Sequence, residues 1–119
     1  MPSPEIAPGQ VWWCDGAALS FEAHFKRRPV LILDIQGGLL RVAPLSSKRR
    51  HGQEQQVTHT GGVSYLTGQI AEVPAVALLT PLSAWDGFAR WRAEQEQAAA
   101  ATARWQHWLR RLRGWLGGV

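Results

Sequence analysis

Two basic triplets, Lys26-Arg27-Arg28 and Lys48-Arg49-Arg50, stand out among the side chains able to do chemistry. Each borders a run of strand-forming residues. If both lie at one end of a folded sheet they set six positive charges round one surface, enough to track a phosphodiester backbone. Their plainer reading is two charged loop ends. His24 lies four residues before Arg28 and titrates in the range useful for a general acid or base, although an isolated histidine in a loop is ordinarily solvent-facing. Taken alone, Arg27-Arg28-Pro29 reads as a solvated strand edge, and Ser46-Ser47 as a turn. His51, His59 and His107 have no companions at metal-ligand spacing and read as structural or solvent-facing. Cys14 is the one cysteine of the sequence, which excludes an internal disulfide and a multi-cysteine zinc site; it reads as a small buried residue on a strand.

The elements that must position these residues fall into two parts. A chain of 119 residues has room for one hydrophobic core. Residues 10–14 (Gln-Val-Trp-Trp-Cys) and 29–35 (Pro-Val-Leu-Ile-Leu-Asp-Ile) are β-branched or aromatic runs of strand length, and Gly37-Gly38 predicts a two-residue hairpin turn into a strand over 39–45. Further short strands are predicted at 55–57, 68–73 and 75–80. Five or six short strands in 80 residues predict a small barrel or curled sheet rather than parallel βαβ units. No Gly-rich phosphate loop in a strand-to-helix setting occurs.

The division falls at Thr80-Pro81, with a β domain over 1–82 and a helical extension over 83–119. Ser83-Ala-Trp-Asp86 resembles a capping box, predicting a helix from Ser83 to about Leu116 that breaks at Gly87 or within Ala98–Ala101 if it folds back. Trp91, Ala98, Trp105 and Leu112 recur every seven residues, with Ala101, Trp108 and Trp115 at the second heptad position, interrupted by Glu94 and Gly87. The last turns form an amphipathic basic helix: an apolar arc of Trp105, Trp108, Leu109, Leu112, Trp115 and Leu116, with Arg104, His107, Arg110, Arg111 and Arg113 outside it. Packing of this stripe on the barrel or on a partner subunit, rather than on lipid, is expected, because it otherwise leaves a large exposed patch. Charge follows the same division: residues 1–80 hold seven basic and six acidic side chains, residues 81–119 six basic and three acidic, and the whole chain carries +4.

Three segments taken together resemble the MazF/PemK family of toxin endoribonucleases: residues 8–15 (Pro-Gly-Gln-Val-Trp-Trp-Cys-Asp), 27–33 (Arg-Arg-Pro-Val-Leu-Ile-Leu) and 42–48 (Val-Ala-Pro-Leu-Ser-Ser-Lys). Residues 63–70 (Val-Ser-Tyr-Leu-Thr-Gly-Gln-Ile) are a weaker fourth match, and the resemblance covers roughly residues 8–82. It implies a mainly β fold, an SH3-like small barrel followed here by the amphipathic helix, that forms a homodimer and cleaves single-stranded RNA without metal or cofactor. The family's arginine before the proline maps onto Arg28, and its hydroxyl residue after the proline step onto Ser46. In such a reaction a ribose 2′-hydroxyl attacks the adjacent phosphorus, and the protein must stabilise a crowded anion and assist proton transfer. A guanidinium fork and a neighbouring hydroxyl are chemically suited to the anion, leaving proton transfer to His24.

RNA binding is then expected of Lys26, Arg27, Ser47, Lys48, Arg49, Arg50 and Gln69. Phe21, Phe25 and Tyr65 are candidates to stack a splayed base, with core packing the first expectation for Tyr65. Two departures from the family pattern matter. The loop before Arg28 keeps only Glu22 and the Arg-Pro end, and Gly68 stands where an aspartate is common. The resemblance also implies a cognate antitoxin as protein partner. Met1-Pro-Ser-Pro-Glu5 lacks a basic segment followed by an apolar one, and no apolar run reaches the ~20 residues of a membrane span, so a cytoplasmic chain without stable membrane insertion is expected. The alternatives are a CcdB-like gyrase-binding toxin, whose Trp-Gly-Ile-like ending Trp115–Val119 loosely matches, and an inactive SH3-like binding module.

Overall fold

The computed structural model describes residues 5–19 and 27–117. It is mainly β, a curled antiparallel sheet followed by one helix. Seven strands run β1 (Gln10–Cys14), β2 (Arg28–Gln36), β3 (Leu39–Ser46), β4 (Gln56–His59), β5 (Gly62–Leu66), β6 (Ala71–Pro74) and β7 (Leu78–Ala84), with short 3₁₀ turns at Gly16–Ala18 and Ala75–Ala77. Strand order is β4-β5-β3-β2-β1-β7, with β6 paired to β3 beyond the end of β5. The long β3 thus has β2 along one edge and β5 and β6 in series along the other.

Continuous apolar runs rather than alternation mark the central strands because both sheet faces are covered. On one face Trp12, Cys14, Val30, Ile32, Leu40, Val42 and Val73 form the main core under Leu19 and Ala77, supplied by the two 3₁₀ turns. On the other, Val11, Leu31 and Ala43 align across three strands and are also buried. The ends of the sheet are tied together. Thr60, in the β4–β5 turn, donates its N–H to Ser83 Oγ at 3.1 Å and its hydroxyl to the Leu82 carbonyl at 2.7 Å.

The predicted Gly37-Gly38 hairpin is present, with Gln36 paired to Leu39 and Gly37 at φ 61, a conformation that favours glycine. Several boundaries differ from expectation. The strand predicted over 68–73 begins only at Ala71, after a turn in which Gly68 has φ 83, and the one predicted over 75–80 opens as a 3₁₀ turn. β5 was not expected as a strand. Pro81 does not end the β region: β7 continues to Ala84, pairing Pro81 with Trp12 and Ser83 with Val11, with register shifts on either side of Trp12-Trp13. A proline is tolerated there because β7 pairs with β1 along one edge only. Ser83 therefore caps no helix. Its backbone is in the ladder and its hydroxyl accepts from Thr60.

The helix, α1 (Phe88–Gly117), opens with the Gly87 carbonyl accepting from Trp91 N–H at 3.0 Å. It begins after Gly87 and runs unbroken for 30 residues, about 45 Å at ~1.5 Å per residue, so the break expected within Ala98–Ala101 had the helix folded back does not occur. Alanine is the best helix former, and this stretch propagates the helix. Ion pairs Arg90–Glu94 (3.4 Å) and Arg92–Glu96 (3.6 Å) link successive turns upstream. The chain divides into two compact units, Met1–Asp86 and Gly87–Val119. Among the described residues no helix is long and apolar enough to cross a membrane.

Candidate functional site

The site is built where the main core face runs out at the ends of the strands. The β2–β3 ladder ends at the pair Val30 and Pro44, and Arg28 and Ser46 lie two residues beyond it on their strands, on the same face by alternation. Arg28 pairs with Cys14 of β1, and Ser46 with Tyr65, which in turn pairs with Gln56. Cross-strand partners share a face, so a row of Cys14, Arg28, Ser46, Tyr65 and Gln56 follows the strand ends, without a ladder pair between Arg28 and Ser46. Its Cys14 end is buried and its Gln56 end exposed; Arg28, Ser46 and Tyr65 are half-buried between them.

Arg28 and Ser46 are each held by neighbouring backbone. Arg28 Nη1 donates to the Leu45 carbonyl at 3.3 Å, which anchors the guanidinium beside β3. Ser46 Oγ accepts from the Lys48 N–H at 3.2 Å, forming a local turn. Because the oxygen accepts here, the hydroxyl hydrogen remains a donor. Thr67 Oγ1 donates to the Pro44 carbonyl at 3.2 Å and accepts from Gln69 N–H at 3.3 Å, so the loop bearing Gln69 is tied to β3 two residues from Ser46. Gly68 lies within that loop with φ 83 and open space around it; an aspartate here meets backbone strain rather than a steric clash.

Two arginines lie on aromatic rings. Arg49 stands 4.7 Å over Tyr65, and Arg27 stands 4.5 Å over Trp13. Tyr65 is therefore not a core residue, contrary to expectation: its strand brings it beside Ser46 under a guanidinium. A guanidinium held over an aromatic ring puts a cation and a stacking platform side by side, the combination used to hold unpaired bases. Ser47, Lys48, Arg49, Arg50 and Gln69 are all exposed, as is Arg27. The structure thus brings Arg28, Ser46, Lys48, Arg49 and the Gln69 loop to one end of the sheet. His24 and Lys26, with Phe21, Glu22 and Phe25, lie outside the described residues. Trp13 and Thr67 were not singled out for this surface, whereas Tyr65 was named as a stacking candidate with core packing expected first. The interleaving of aromatic and basic residues was the available signal for Trp13.

No protein-family model, curated protein or solved structure matches the chain.

The remaining titratable groups of the sheet have structural surroundings. Burial, with Asp15 adding to it, pushes the Cys14 thiol up to about 11, so it stays protonated. His59 accepts the Gly61 N–H at Nδ1 (3.1 Å), which places its proton on Nε2, 2.9 Å from Ser64 Oγ. Burial holds this imidazole below its usual pKa. His51 is exposed and donates its N–H to Glu54 Oε1 at 2.6 Å, bracing the loop that follows the second basic triplet. Among the described residues no three histidine, cysteine or carboxylate side chains are grouped to hold a metal ion.

Proposed function

We propose that the chain is a MazF/PemK-like toxin of a type II toxin-antitoxin pair, an SH3-like barrel that cuts single-stranded RNA without a metal. The observation that carries the reading is the placement of Arg28 and Ser46 on neighbouring strand ends, Arg28 bonded to the Leu45 carbonyl next to Ser46, beside the Arg49–Tyr65 contact. In the proposed step the 2′-oxygen attacks phosphorus and the bond from phosphorus to the 5′-oxygen breaks, leaving a 2′,3′-cyclic phosphate and a 5′-hydroxyl. Charge builds on the non-bridging oxygens. The Arg28 fork and the Ser46 hydroxyl donate to them, and both are held close to their backbone anchors before RNA arrives. Arg28 itself is not the base, because a guanidinium does not give up its proton in this pH range. Proton transfer is assigned to His24. Lys48, Arg49, Arg50 and Arg27 follow the phosphate chain, and Tyr65 with Arg49 receives a base. A second copy of the chain and a small antitoxin covering this end of the sheet complete the proposal.

The test is incubation of the purified chain with single-stranded RNA in excess chelator. Discrete cuts ending in cyclic phosphate are expected, and Ser46→Ala should slow them about tenfold or more, the cost of one charge-stabilising donor. Intact RNA at all concentrations, or cuts that need added divalent metal, would sink the reading. If cells expressing the chain stop growing while their RNA stays whole, the barrel is a protein-binding module such as a gyrase poison instead.

A further inference from the structure

We propose that the last turns of α1 form a peripheral anchor that lies flat on an anionic phospholipid surface; this inference is independent of the chemistry at Arg28. Trp105, Trp108 and Trp115 are 59%, 51% and 76% exposed, a large apolar area for so short a segment. Trp105 and Trp108 stack at 5.1 Å with 19° between their planes, so the rings form one continuous slab. At ~100° per residue, Trp115, Trp108, Leu112, Trp105 and Leu109 fall within about 120° of arc. Arg104 and Arg111 border one side of that arc, and Arg113 the other.

Charge identifies the occupant. Upstream in α1 the arginines are matched within the helix, Arg90 by Glu94 and Arg92 by Glu96. From Arg104 to Arg113 there are four exposed arginines and no carboxylate. Two copies packed side by side through this segment would bring eight guanidinium groups together without an acid between them, and like charges at such spacing oppose association. An anionic bilayer neutralises the three arginines that border the arc, Arg104, Arg111 and Arg113. Tryptophan is the side chain most at home at the headgroup level, and bordering arginines can extend their stems so that the charge stays among the phosphates. The segment carries too much charge to cross a membrane, and a slab apolar on one side only is suited to lie in the interface plane.

Full-length protein is mixed with sucrose-loaded vesicles of equal parts phosphatidylcholine and phosphatidylglycerol, or of phosphatidylcholine alone, and pelleted. Binding to the anionic vesicles alone is expected, weakening as salt rises. Arg104→Gln and Arg111→Gln should each lower partitioning about fivefold, while keeping the helical content seen by circular dichroism. Trp105→Ser with Trp108→Ser should lower it by at least about tenfold. Equal pelleting with neutral vesicles, no pelleting with either, or pelleting unchanged in the tryptophan variant would overturn the proposal. A concentration-dependent dimer that dissociates with Trp105→Ser, together with absent vesicle binding, would assign the face to a second copy.

Discussion

Arg28→Lys keeps the positive charge and removes the fork, which makes it the sharpest probe of the proposed site. The guanidinium is half-buried at the start of β2, and its bond to the Leu45 carbonyl is 3.3 Å long. A bond of that length contributes less than about 1 kcal/mol to folding, so a lysine there should shift the thermal midpoint by only a few degrees. Its effect on catalysis should be larger. Two parallel charge-assisted donors to a phosphorane become a single flexible ammonium, a loss of roughly 1.5–3 kcal/mol, or about 10–150-fold in kcat/KM. The assay is single-turnover cleavage of a short RNA in chelator, with binding measured separately by anisotropy on a 2′-deoxy substrate that cannot react. The loss should appear in the cleavage step, with the affinity for the inert RNA changed about threefold or less. Cleavage by the lysine variant at the original rate would refute the fork argument, because a point charge would then suffice. A loss matched by an equal fall in thermal stability would refute it too, since Arg28 would then act by holding β2 to β3.

Three further outcomes follow from the geometry. Replacing any one of Arg27, Lys48, Arg49 or Arg50 by Gln should reduce the slope of log affinity against log salt by about 0.7 for a single strand, and Arg49→Gln should also weaken base stacking on Tyr65. His59 is neutral in the fold, its pKa depressed below the unfolded value; stability is therefore full above ~6.5 and falls as pH drops below it, where the unfolded chain takes up the extra proton. His59→Gln should flatten that part of the denaturation-against-pH curve. Cys14, its thiol raised to about 11 and its side chain buried, should react with iodoacetamide only upon unfolding, and rapid labelling of the native chain would contradict its place in the core.

The strands that carry the core were legible because burial on two faces writes a continuous apolar run, as at Val30–Leu33. β5 was not, because its inward position is Ser64, kept by the His59 imidazole, while Val63 points to solvent; the polarity pattern is inverted. Pro81 misled for a related reason. Proline ends strands inside sheets, but here register shifts around it let β7 continue, and the cap-like Ser83 was taken by Thr60. At the site, Arg28 and Ser46 were legible through motif resemblance alone: the Gly37-Gly38 turn sets the register of Gln36 with Leu39, but an irregularity between Ile32 and Asp34 shifts it by one residue before the site is reached, and nothing in the sequence announces that shift. Tyr65 was legible as a stacking residue, but its place beside Ser46 was not, because that depends on β5 pairing with β3 across a long connection that carries no local signal.

A polar row at the end of a sheet needs no functional explanation by itself: where the covering residues stop, solvent demands polarity. Along β2 the face reads Ile32, Val30, Arg28, and along β3 Val42, Pro44, Ser46, so both strands turn polar at the same level. The kind of polarity is what separates the two explanations. A merely solvated strand end tends to mix signs, as Asp34 and Arg41 do at 3.7 Å near the other end of the same two strands. The row from Arg28 to Gln56 holds an arginine, a hydroxyl, a phenol and an amide, with Lys48, Arg49 and Arg50 in the exposed segment that follows β3 and no carboxylate in the row. Among the described residues the basic side chains of this surface, Lys48, Arg49 and Arg50, are exposed and outnumber the one carboxylate of the same segment, Glu54, so its potential is positive. An anion supplied from outside is the simplest partner for it, and a flat ring under a guanidinium adds a preference for anions that carry bases.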